Sequence, residues 1–260
     1  MINKKTILIT GASSGLGRAL ACQYAGPNIK LFLFGRSGER LNETAEICKK
    51  QLAEVVIIPS DIKDQIATKI QIEEIFCNHK IDILISCAGV SAGTLGKPET
   101  SKQVNEIFST NLNGTLNIVM PALPFMIQNK CGTIVLISSM AGLIGLSSSP
   151  SYSASKAAVK SFGDSLRAYL KQFHVKTCVV IPGYIDTPMT KVNNFPMPFK
   201  ISAELAAQII IKGIENNKGL IVFPKIIYFV LKLINLLPFQ FIDYMNSKLS
   251  GKPSLENKSH

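Results

Sequence analysis

The chain has 260 residues and a mass of 28.3 kDa, which is long enough for one large domain with a complete core. Hydrophobic residues make up 47% and charged residues 17% of the chain, which excludes a disordered or fibrous protein. The 28 Lys and Arg against 17 Asp and Glu give a net charge of +11. Because these are mostly scattered lysines, nucleic acid is not an expected partner.

The six cysteines and three histidines are dispersed, without a CxxC pair or a Cys–His cluster. No metal site is therefore expected, and we interpret the cysteines as free, buried thiols in a reducing compartment. The N-terminus passes directly into a strand-like run without a signal-peptide pattern. These features predict a cytoplasmic protein.

Short Val/Ile/Leu runs alternate with helical stretches along the chain. The predicted strands are residues 6–9, 29–34, 55–58, 81–85, 133–137, 175–181 and 220–223, and the first two helices cover about 15–25 and 39–51. Such runs are typical of a parallel sheet covered on both faces. The sequence thus predicts a doubly wound, three-layer α/β domain over residues 1–260, with its core at about 4–222 and an apolar, basic helical extension at about 223–260.

The first strand and the first helix are joined by the turn TGASSGLG, residues 10–17. Glycines allow backbone N–H groups at a helix N-terminus to approach a pyrophosphate. A purely structural turn is the alternative. At the start of a βαβ series, we favour dinucleotide binding by Gly11, Ser13, Ser14, Gly15, Leu16 and Gly17.

The TGxxxGxG spacing resembles that of the short-chain dehydrogenase/reductase family, and the resemblance covers about residues 4–190. It implies a Rossmann fold and a nicotinamide cofactor. The second strand ends in Gly35-Arg36-Ser37, where a carboxylate would bind the ribose 2′-hydroxyl of NAD. A guanidinium instead holds a 2′-phosphate, and an arginine here implies NADPH in this family, with NAD less favoured. A surface arginine without a ligand is the alternative.

Three further segments match nucleotide-binding elements of the family. Asp61 and Ile62 follow the third strand, where the family has an acid at the adenine ring, although Asp61 is also a possible helix N-cap. Ala88 and Gly89 lie in SCAG, which matches the NNAG element with both asparagines replaced. The family's PGxxxT element, which borders the nicotinamide, matches Pro182, Gly183, Ile185 and Thr187; a turn without a ligand role is the alternative.

Tyr152 and Lys156 are four residues apart, so a helix places them on one face. A neighbouring ammonium stabilises phenolate and lowers the tyrosine pKa, an effect that a nicotinamide cation would increase. By resemblance, Tyr152 is the general acid/base and Lys156 also holds the nicotinamide ribose. Ser139 then positions the substrate oxygen, with Ser138 as the alternative hydroxyl, and Asn111 holds a water in the proton relay.

Residues 188–199 contain two Met, two Phe and three Pro, which predicts an apolar, adaptable lid over the substrate. Leu143, Ile144 and Leu146 are candidates for the same cleft. Apart from Lys191, no cation is evident for an anionic substrate group. We therefore expect a medium-sized hydrophobic carbonyl or alcohol substrate.

The apolar stretch at residues 226–237 is too short to span a bilayer. It is interpreted either as a helix that packs on the core, the pocket or another subunit, or as an amphipathic helix on a membrane surface. In the second case Lys225, Lys232, Lys248 and Lys252 would assist binding. The residues after Lys252 are expected to form a flexible polar tail.

Together these patterns predict an NADPH-dependent oxidoreductase that reduces a ketone or aldehyde, with Tyr152 as general acid. The first alternative is a lipid or steroid oxidoreductase at a membrane surface, similar to 3-ketosphinganine reductases or hydroxysteroid dehydrogenases. The second is a non-catalytic NADPH-binding sensor. The family resemblance further implies a homo-dimer or homo-tetramer built through helices near 101–129 and 151–173.

Overall fold

The computed structural model describes residues 4–94, 97–247 and 252–254 and is centred on a seven-stranded parallel sheet. In chain order the strands are β1 (Lys5–Thr10), β2 (Ile29–Gly35), β3 (Glu54–Pro59), β4 (Ile83–Ser86), β5 (Thr133–Ile137), β6 (Lys176–Pro182), β7 (Ile185–Asp186), β8 (Ile201–Ser202) and β9 (Leu220–Phe223). The sheet order is β3-β2-β1-β4-β5-β6-β9, while β7 and β8 form a separate parallel pair. The predicted doubly wound sheet is confirmed.

Helices connect these strands and cover both faces of the sheet. They are α1 (Gly15–Tyr24), α2 (Gly38–Lys50), α3 (Gln65–Asn78), α4 (Ser101–Phe108), α5 (Gly114–Asn129), α6 (Pro150–Leu170), α7 (Pro188–Lys191), α8 (Ala203–Glu215), α9 (Lys225–Ile234) and α10 (Phe239–Ser247). No helix in the described ranges combines the length and apolarity needed to cross a membrane.

Two apolar layers follow from the alternation of side chains along each strand. Ile7 and Ile9 of β1 pack with α1, α2 and α8, whereas Leu8 packs on the opposite face with α3, α5 and α6. All three side chains are fully buried. A central strand buried on both faces has no solvated side, which is why its sequence is continuously apolar.

The sheet has a crevice at the carboxyl ends of its strands, at the point where the chain reverses its direction of winding. Strand β1 pairs with both β2 and β4, so the connections after these strands diverge and leave a crevice at their carboxyl ends. Ligands of doubly wound sheets bind in this crevice. The glycine-rich turn, SCAG and the segment after β5 all open onto it.

Two predictions are wrong: the start of the fourth strand and the burial of all six cysteines. The fourth strand begins at Ile83 rather than Ile81, and the Asp82 carboxylate before it accepts a hydrogen bond from the backbone N–H of Thr6 at 2.8 Å. The six cysteines are free thiols, but only Cys48 and Cys178 are buried, and Cys77 on α3 is exposed. The described residues contain no cluster of three or more His, Cys, Asp or Glu side chains that would hold a metal.

Candidate active site

The glycine-rich turn is folded tightly enough to present backbone to a ligand. Gly11 and Gly15 have φ of +70° and +52°, which favours glycine. A Cβ on Gly17 would lie 2.2 Å from the carbonyl oxygen of Gly11. Ser14 caps α1 without a side-chain hydrogen bond, so the first N–H groups of the helix remain oriented toward the cleft.

A buried threonine fixes the opposite side of this turn. The Thr10 hydroxyl oxygen accepts hydrogen bonds from the backbone N–H groups of Cys87 and Ala88, both at 3.0 Å. The Ser86 hydroxyl donates to Thr115 at 3.1 Å. These contacts hold the SCAG segment although both asparagines of the family element are absent.

Arginines stand at the far end of the cleft, beyond β2. Arg36 and Arg40 are exposed and both line it, and Arg40 lies in the first turn of α2, where the Ser37 hydroxyl accepts from its backbone N–H. Lys63 is close enough to Arg36 that the two cations repel. Arg40 was not among the predicted site residues, although its spacing of one helical turn from Arg36 could have indicated it.

Asp61 also lines the cleft, but it is not the cap of the following helix. Its carboxylate accepts a hydrogen bond from the backbone N–H of Lys63 at 3.1 Å. The cap of α3 is Asp64, which accepts from Ala67 N–H at 3.0 Å. The N-cap alternative for Asp61 is therefore wrong, and the side chain stays at the cleft.

One continuous cleft of about 320 Å³ joins the turn, the arginines and the predicted catalytic residues. Of the predicted site residues, those that line it are Gly11, Ser13, Ser14, Gly15, Leu16, Gly17, Arg36, Asp61, Ile62, Ala88, Gly89, Ser139, Tyr152, Lys156, Pro182, Gly183, Ile185 and Thr187. Asn111 is absent from the lining and lies directly behind it, fully buried.

Tyr152 and Ser139 meet at the inner end of the cleft. Tyr152 lies in the first turn of α6, and the Ser139 hydroxyl, two residues beyond β5, is close enough to favour the phenolate form of Tyr152. The Ser138 hydroxyl is instead buried and donates to the carbonyl oxygen of Lys156 at 2.7 Å. This arrangement favours Ser139 over Ser138 as the active hydroxyl.

Lys156 lies one turn along α6 and is 6% exposed. Its ammonium donates a hydrogen bond to the carbonyl oxygen of Ile137 at 2.9 Å. Burial lowers the pKa of Lys156 to about 8, and this is the main cause of the shift. The side chain is thus cationic at neutral pH but held at a desolvated position.

The structure corrects the expected pKa shift of Tyr152. Burial raises the pKa of the phenol, and only the hydrogen bond with Ser139 opposes this, while the nearby Tyr184 adds to the increase. The Lys156 ammonium donates to the Ile137 carbonyl oxygen and is not among the groups that shift the pKa of Tyr152. Tyr152 is therefore fully protonated at neutral pH, which is the form of a proton donor.

Asn111 lies in a π-helical turn, Ser109–Asn113, between α4 and α5. Its side-chain amide exchanges two hydrogen bonds with the backbone of Val90 at 2.8 and 2.9 Å, and it donates to Ser155 at 3.0 Å. Wider helical turns often occur at functional sites. Here the turn allows Asn111 to connect the loop after β4 with the catalytic helix.

The predicted lid begins as α7 and remains near the cleft. Thr187 packs over the turn, since a Cβ on Gly15 would lie 3.2 Å from its methyl carbon. Phe195 is half-buried and its ring contacts Tyr184 edge-on, with 6.1 Å between centroids. The segment thus packs Phe195 against Tyr184, and Tyr184 in turn raises the pKa of Tyr152.

The C-terminal extension folds against the loop that follows Ser139. Asn235 and Asn246 donate side-chain hydrogen bonds to the carbonyl oxygens of Leu143 and Gly145 at 2.6 and 2.8 Å. The Ser147 hydroxyl donates to the carbonyl oxygen of Asn246 at 2.8 Å. Leu143, Ile144 and Leu146, which were expected in the cleft, line a second cavity with α10 instead.

Much of the apolar surface of this extension nevertheless faces solvent. Tyr228 is buried against the sheet, whereas Leu233 and Leu236 are 65% and 81% exposed. The other large exposed apolar residues are Ile226, Phe229, Val230, Leu237, Phe239, Phe241, Tyr244 and Met245. One side of α9 packs on the core, and the apolar side chains on its other side face solvent. Lys248 and residues 255–260 of the predicted tail lie outside the described residues.

Comparison with known proteins agrees with this geometry. A family model described as short chain dehydrogenase matches residues 5–196. An 11-beta-hydroxysteroid dehydrogenase-like protein 2 of Arabidopsis thaliana is 34% identical over 253 residues, covering 94% of this chain and 81% of that protein.

Two solved structures share the fold. A short-chain dehydrogenase from Sphingobium yanoikuyae in complex with NADPH has a TM-score of 0.79 and 21% identity, covering 94% of this chain and 96% of its own. A short chain dehydrogenase from Mycobacterium paratuberculosis bound to NAD has a TM-score of 0.74 and 23% identity, covering 84% and 95%.

Proposed function

The chain belongs to the short-chain dehydrogenase family of oxidoreductases, and we propose that it reduces medium-sized hydrophobic ketones or aldehydes with NADPH. The observation that carries this proposal is one continuous cleft with Arg36 and Arg40 at one end and Ser139 and Tyr152 at the other. A dinucleotide that spans the cleft would place its phosphates at the turn and its nicotinamide at Tyr152.

The residues of the cleft fit this cofactor. The uncapped N-terminus of α1 supplies N–H donors for the pyrophosphate, and the glycine contacts leave no room for side chains there. Arg36 and Arg40 would hold the 2′-phosphate of NADPH, since guanidinium groups bind phosphate through paired hydrogen bonds. Bound NADPH would supply the hydride.

The protein's own groups then orient the carbonyl and supply a proton. Ser139 and Tyr152 hydroxyls bind the carbonyl oxygen and place its carbon toward the nicotinamide side of the cleft. As hydride reaches the carbon, Tyr152 transfers its phenolic proton to the oxygen, which completes the alcohol. Lys156, one helical turn away, would hold the nicotinamide ribose. The side-chain hydrogen bonds of Asn111 join α6 to the loop after β4.

The experiment is a screen of neutral aliphatic and aromatic ketones and aldehydes, followed by loss of NADPH absorbance. Tyr152→Phe keeps the ring and removes the proton donor, so turnover should fall at least about a hundred-fold, the contribution of one general acid. Calorimetry should show unchanged NADPH binding by this variant. Equal turnover by Tyr152→Phe and the unsubstituted protein would refute the assignment. NADPH binding without turnover of any carbonyl would instead support a sensor.

A second candidate function is oxidation or reduction of a lipid or steroid at a membrane surface. The exposed apolar side chains of α9 and α10 favour it, because monomeric soluble proteins rarely expose such contiguous surface. Lys225 at the start of α9 and the net charge of +11 are suited to anionic headgroups. The hydroxysteroid dehydrogenase-like relative is consistent with a substrate that partitions into membranes.

This candidate is tested by co-sedimentation of the full chain with phosphatidylcholine vesicles that contain phosphatidylserine. The variant Phe229→Asp/Leu233→Asp places two charges on the exposed face and should lose sedimentation. Val56→Asp, on the distant exposed edge strand β3, is the matched control and should sediment unchanged. Equal sedimentation of both variants would contradict membrane docking. The expected homo-oligomer stays a prediction, to be measured by light scattering on the same samples.

A further inference from the structure

The catalytic helix α6 is capped by a side chain from another element. Its own N-cap residue, Ser149, makes no side-chain cap hydrogen bond, and Pro150 at the first helical position has no N–H. The Glu99 carboxylate, in the segment before α4, accepts a hydrogen bond from the Ser151 backbone N–H at 3.0 Å and another from the Ser151 hydroxyl at 2.8 Å. The first N–H group of the helix is thus bound by a residue 52 positions earlier in the chain.

Glu99 is itself held in place by α4. The Gln103 side-chain amide donates hydrogen bonds to the Glu99 carboxylate and to the carbonyl oxygen of Gly93, both at 3.1 Å. Gln103 is buried, and the Thr100 hydroxyl accepts from its backbone N–H at 3.2 Å as the cap of α4. The carboxylate therefore connects the start of α4 with the start of α6.

This contact adjoins the catalytic tyrosine, because Tyr152 is the residue after Ser151. Both lie in the first turn of α6, where the N–H groups have no acceptor within the helix. Helices fray at such ends, and a movement of this turn would carry the phenol with it. Asn111 binds α6 further along, at Ser155, whereas Glu99 binds its start.

We propose that Glu99 is a positioning residue for Tyr152. The proposal rests on the reductase function above, in which the phenolic proton passes to the carbonyl oxygen. The proton donor must lie within hydrogen-bond distance of that oxygen, and misplacement by about 1 Å lowers turnover strongly. The hydrogen bonds of Glu99 join it to Ser151 and Gln103, away from the phosphate-binding turn. Its loss should therefore lower kcat and leave the affinity for NADPH unchanged.

The kinetic test compares Glu99→Ala with a conservative variant and with the loss of a cap elsewhere. Glu99→Ala removes the acceptor of the Ser151 N–H, so kcat should fall about ten-fold or more, while calorimetry should give unchanged affinity and stoichiometry for NADPH. Glu99→Gln keeps a carbonyl oxygen as acceptor and should retain most of kcat. Asp64→Ala is the matched control, because it removes the carboxylate that caps α3 and should leave kcat unchanged.

Three results of this comparison would overturn the proposal. The first is an unchanged kcat in Glu99→Ala. The second is a loss of kcat in Glu99→Gln as large as that in Glu99→Ala. The third is an equal loss in Asp64→Ala, which would show that any missing helix cap lowers turnover.

A double variant separates positioning of the phenol from general destabilisation. Glu99→Ala is combined with Tyr152→Phe, which lacks the phenolic proton. If Glu99 acts through Tyr152, its replacement should not lower the residual kcat of Tyr152→Phe any further, because the proton donor that it positions is already absent. An equal fall in both backgrounds would refute the role of Glu99 and uphold the reductase. A Tyr152→Phe variant with unchanged turnover would refute the reductase itself.

Hydrogen exchange followed by mass spectrometry tests the contact without any turnover. Amides of residues 151–156 should exchange faster in Glu99→Ala than in the unsubstituted protein, because the start of α6 has lost its cap. In Asp64→Ala the faster exchange should occur at the start of α3 instead. Unchanged exchange at the start of α6 in Glu99→Ala would contradict the proposal whatever the enzyme reduces.

Discussion

Replacement of Gly17 by alanine probes the phosphate-binding turn with a single methyl group. The added Cβ would lie 2.2 Å from the Gly11 carbonyl oxygen and 2.6 Å from the Gly11 carbonyl carbon. A carbon–oxygen contact is normally about 3.3 Å or longer, so the turn must move by roughly 1 Å. Both obstructing atoms are backbone, and no side-chain rotation relieves the contact. Overpacking of this kind costs about 1–3 kcal/mol.

The consequence is measured in two ways. For a chain of this size, the expected destabilisation lowers Tm by about 2–12 °C in calorimetric melting. Displacement of the turn should also weaken NADPH binding at least about ten-fold, because N–H donors that move by 1 Å no longer fit the pyrophosphate. Gly26→Ala is the matched control, since a Cβ there meets nothing within 4 Å. Melting and binding of Gly17→Ala that match those of Gly26→Ala would refute this account of the turn.

Two further changes test the contacts behind the site. Thr10→Val leaves the buried N–H groups of Cys87 and Ala88 without an acceptor, so the free energy of unfolding measured in urea titrations should fall by about 2–5 kcal/mol. Thr10→Ser keeps the hydroxyl and should lower the free energy of unfolding by less than half of that amount. Equal losses in the two variants would contradict the role of these hydrogen bonds. Lys156→Met should abolish turnover and change how stability depends on pH. The pKa of Lys156 is lowered to about 8 in the folded state and is near 10.4 in the unfolded state. Burial of the charged ammonium therefore destabilises the fold fully below about pH 8, and this destabilisation is lost as the pH rises from about 8 to 10.4. Without nucleotide, the free energy of unfolding of Lys156→Met minus that of the unsubstituted protein should therefore decrease by up to about 3 kcal/mol between pH 7 and 10. A difference that does not change with pH would show that Lys156 is not desolvated.

The central strands could be predicted because burial on both faces leaves a continuous apolar run in the sequence. Strands β1, β2 and β5 agree with the predicted ranges to within one residue at each end. Helix spacing indicated that Tyr152 and Lys156 share one face, and the family resemblance added Ser139 to the same site. Such local rules carry no information on hydrogen-bond partners. The hydrogen bond from Lys156 to Ile137, and the burial that raises the pKa of Tyr152, required the structure.

Long-range contacts of the C-terminal extension were equally inaccessible from the sequence. The apolar run at residues 226–237 predicted a helix, but its hydrogen bonds to the loop after Ser139 join residues about ninety positions apart. Lys252 was one of many lysines in a basic chain, and nothing in the sequence indicated that Gly93 pairs with Pro253 and that Lys252 lies against the Tyr152 ring. Gly93 itself shows no recognisable motif, because the close approach that requires glycine is formed by a distant segment.

The most direct test of the proposed function is calorimetric titration with NADPH and with NADH, on the unsubstituted protein and on Arg36→Gln/Arg40→Gln. Both arginines line the cleft beyond β2, where the 2′-phosphate would lie. We predict that NADPH binds the unsubstituted protein at least about ten-fold more tightly than NADH, and that the double variant loses this preference while its affinity for NADH is unchanged. Equal affinity of the unsubstituted protein for the two nucleotides would contradict the assignment of NADPH.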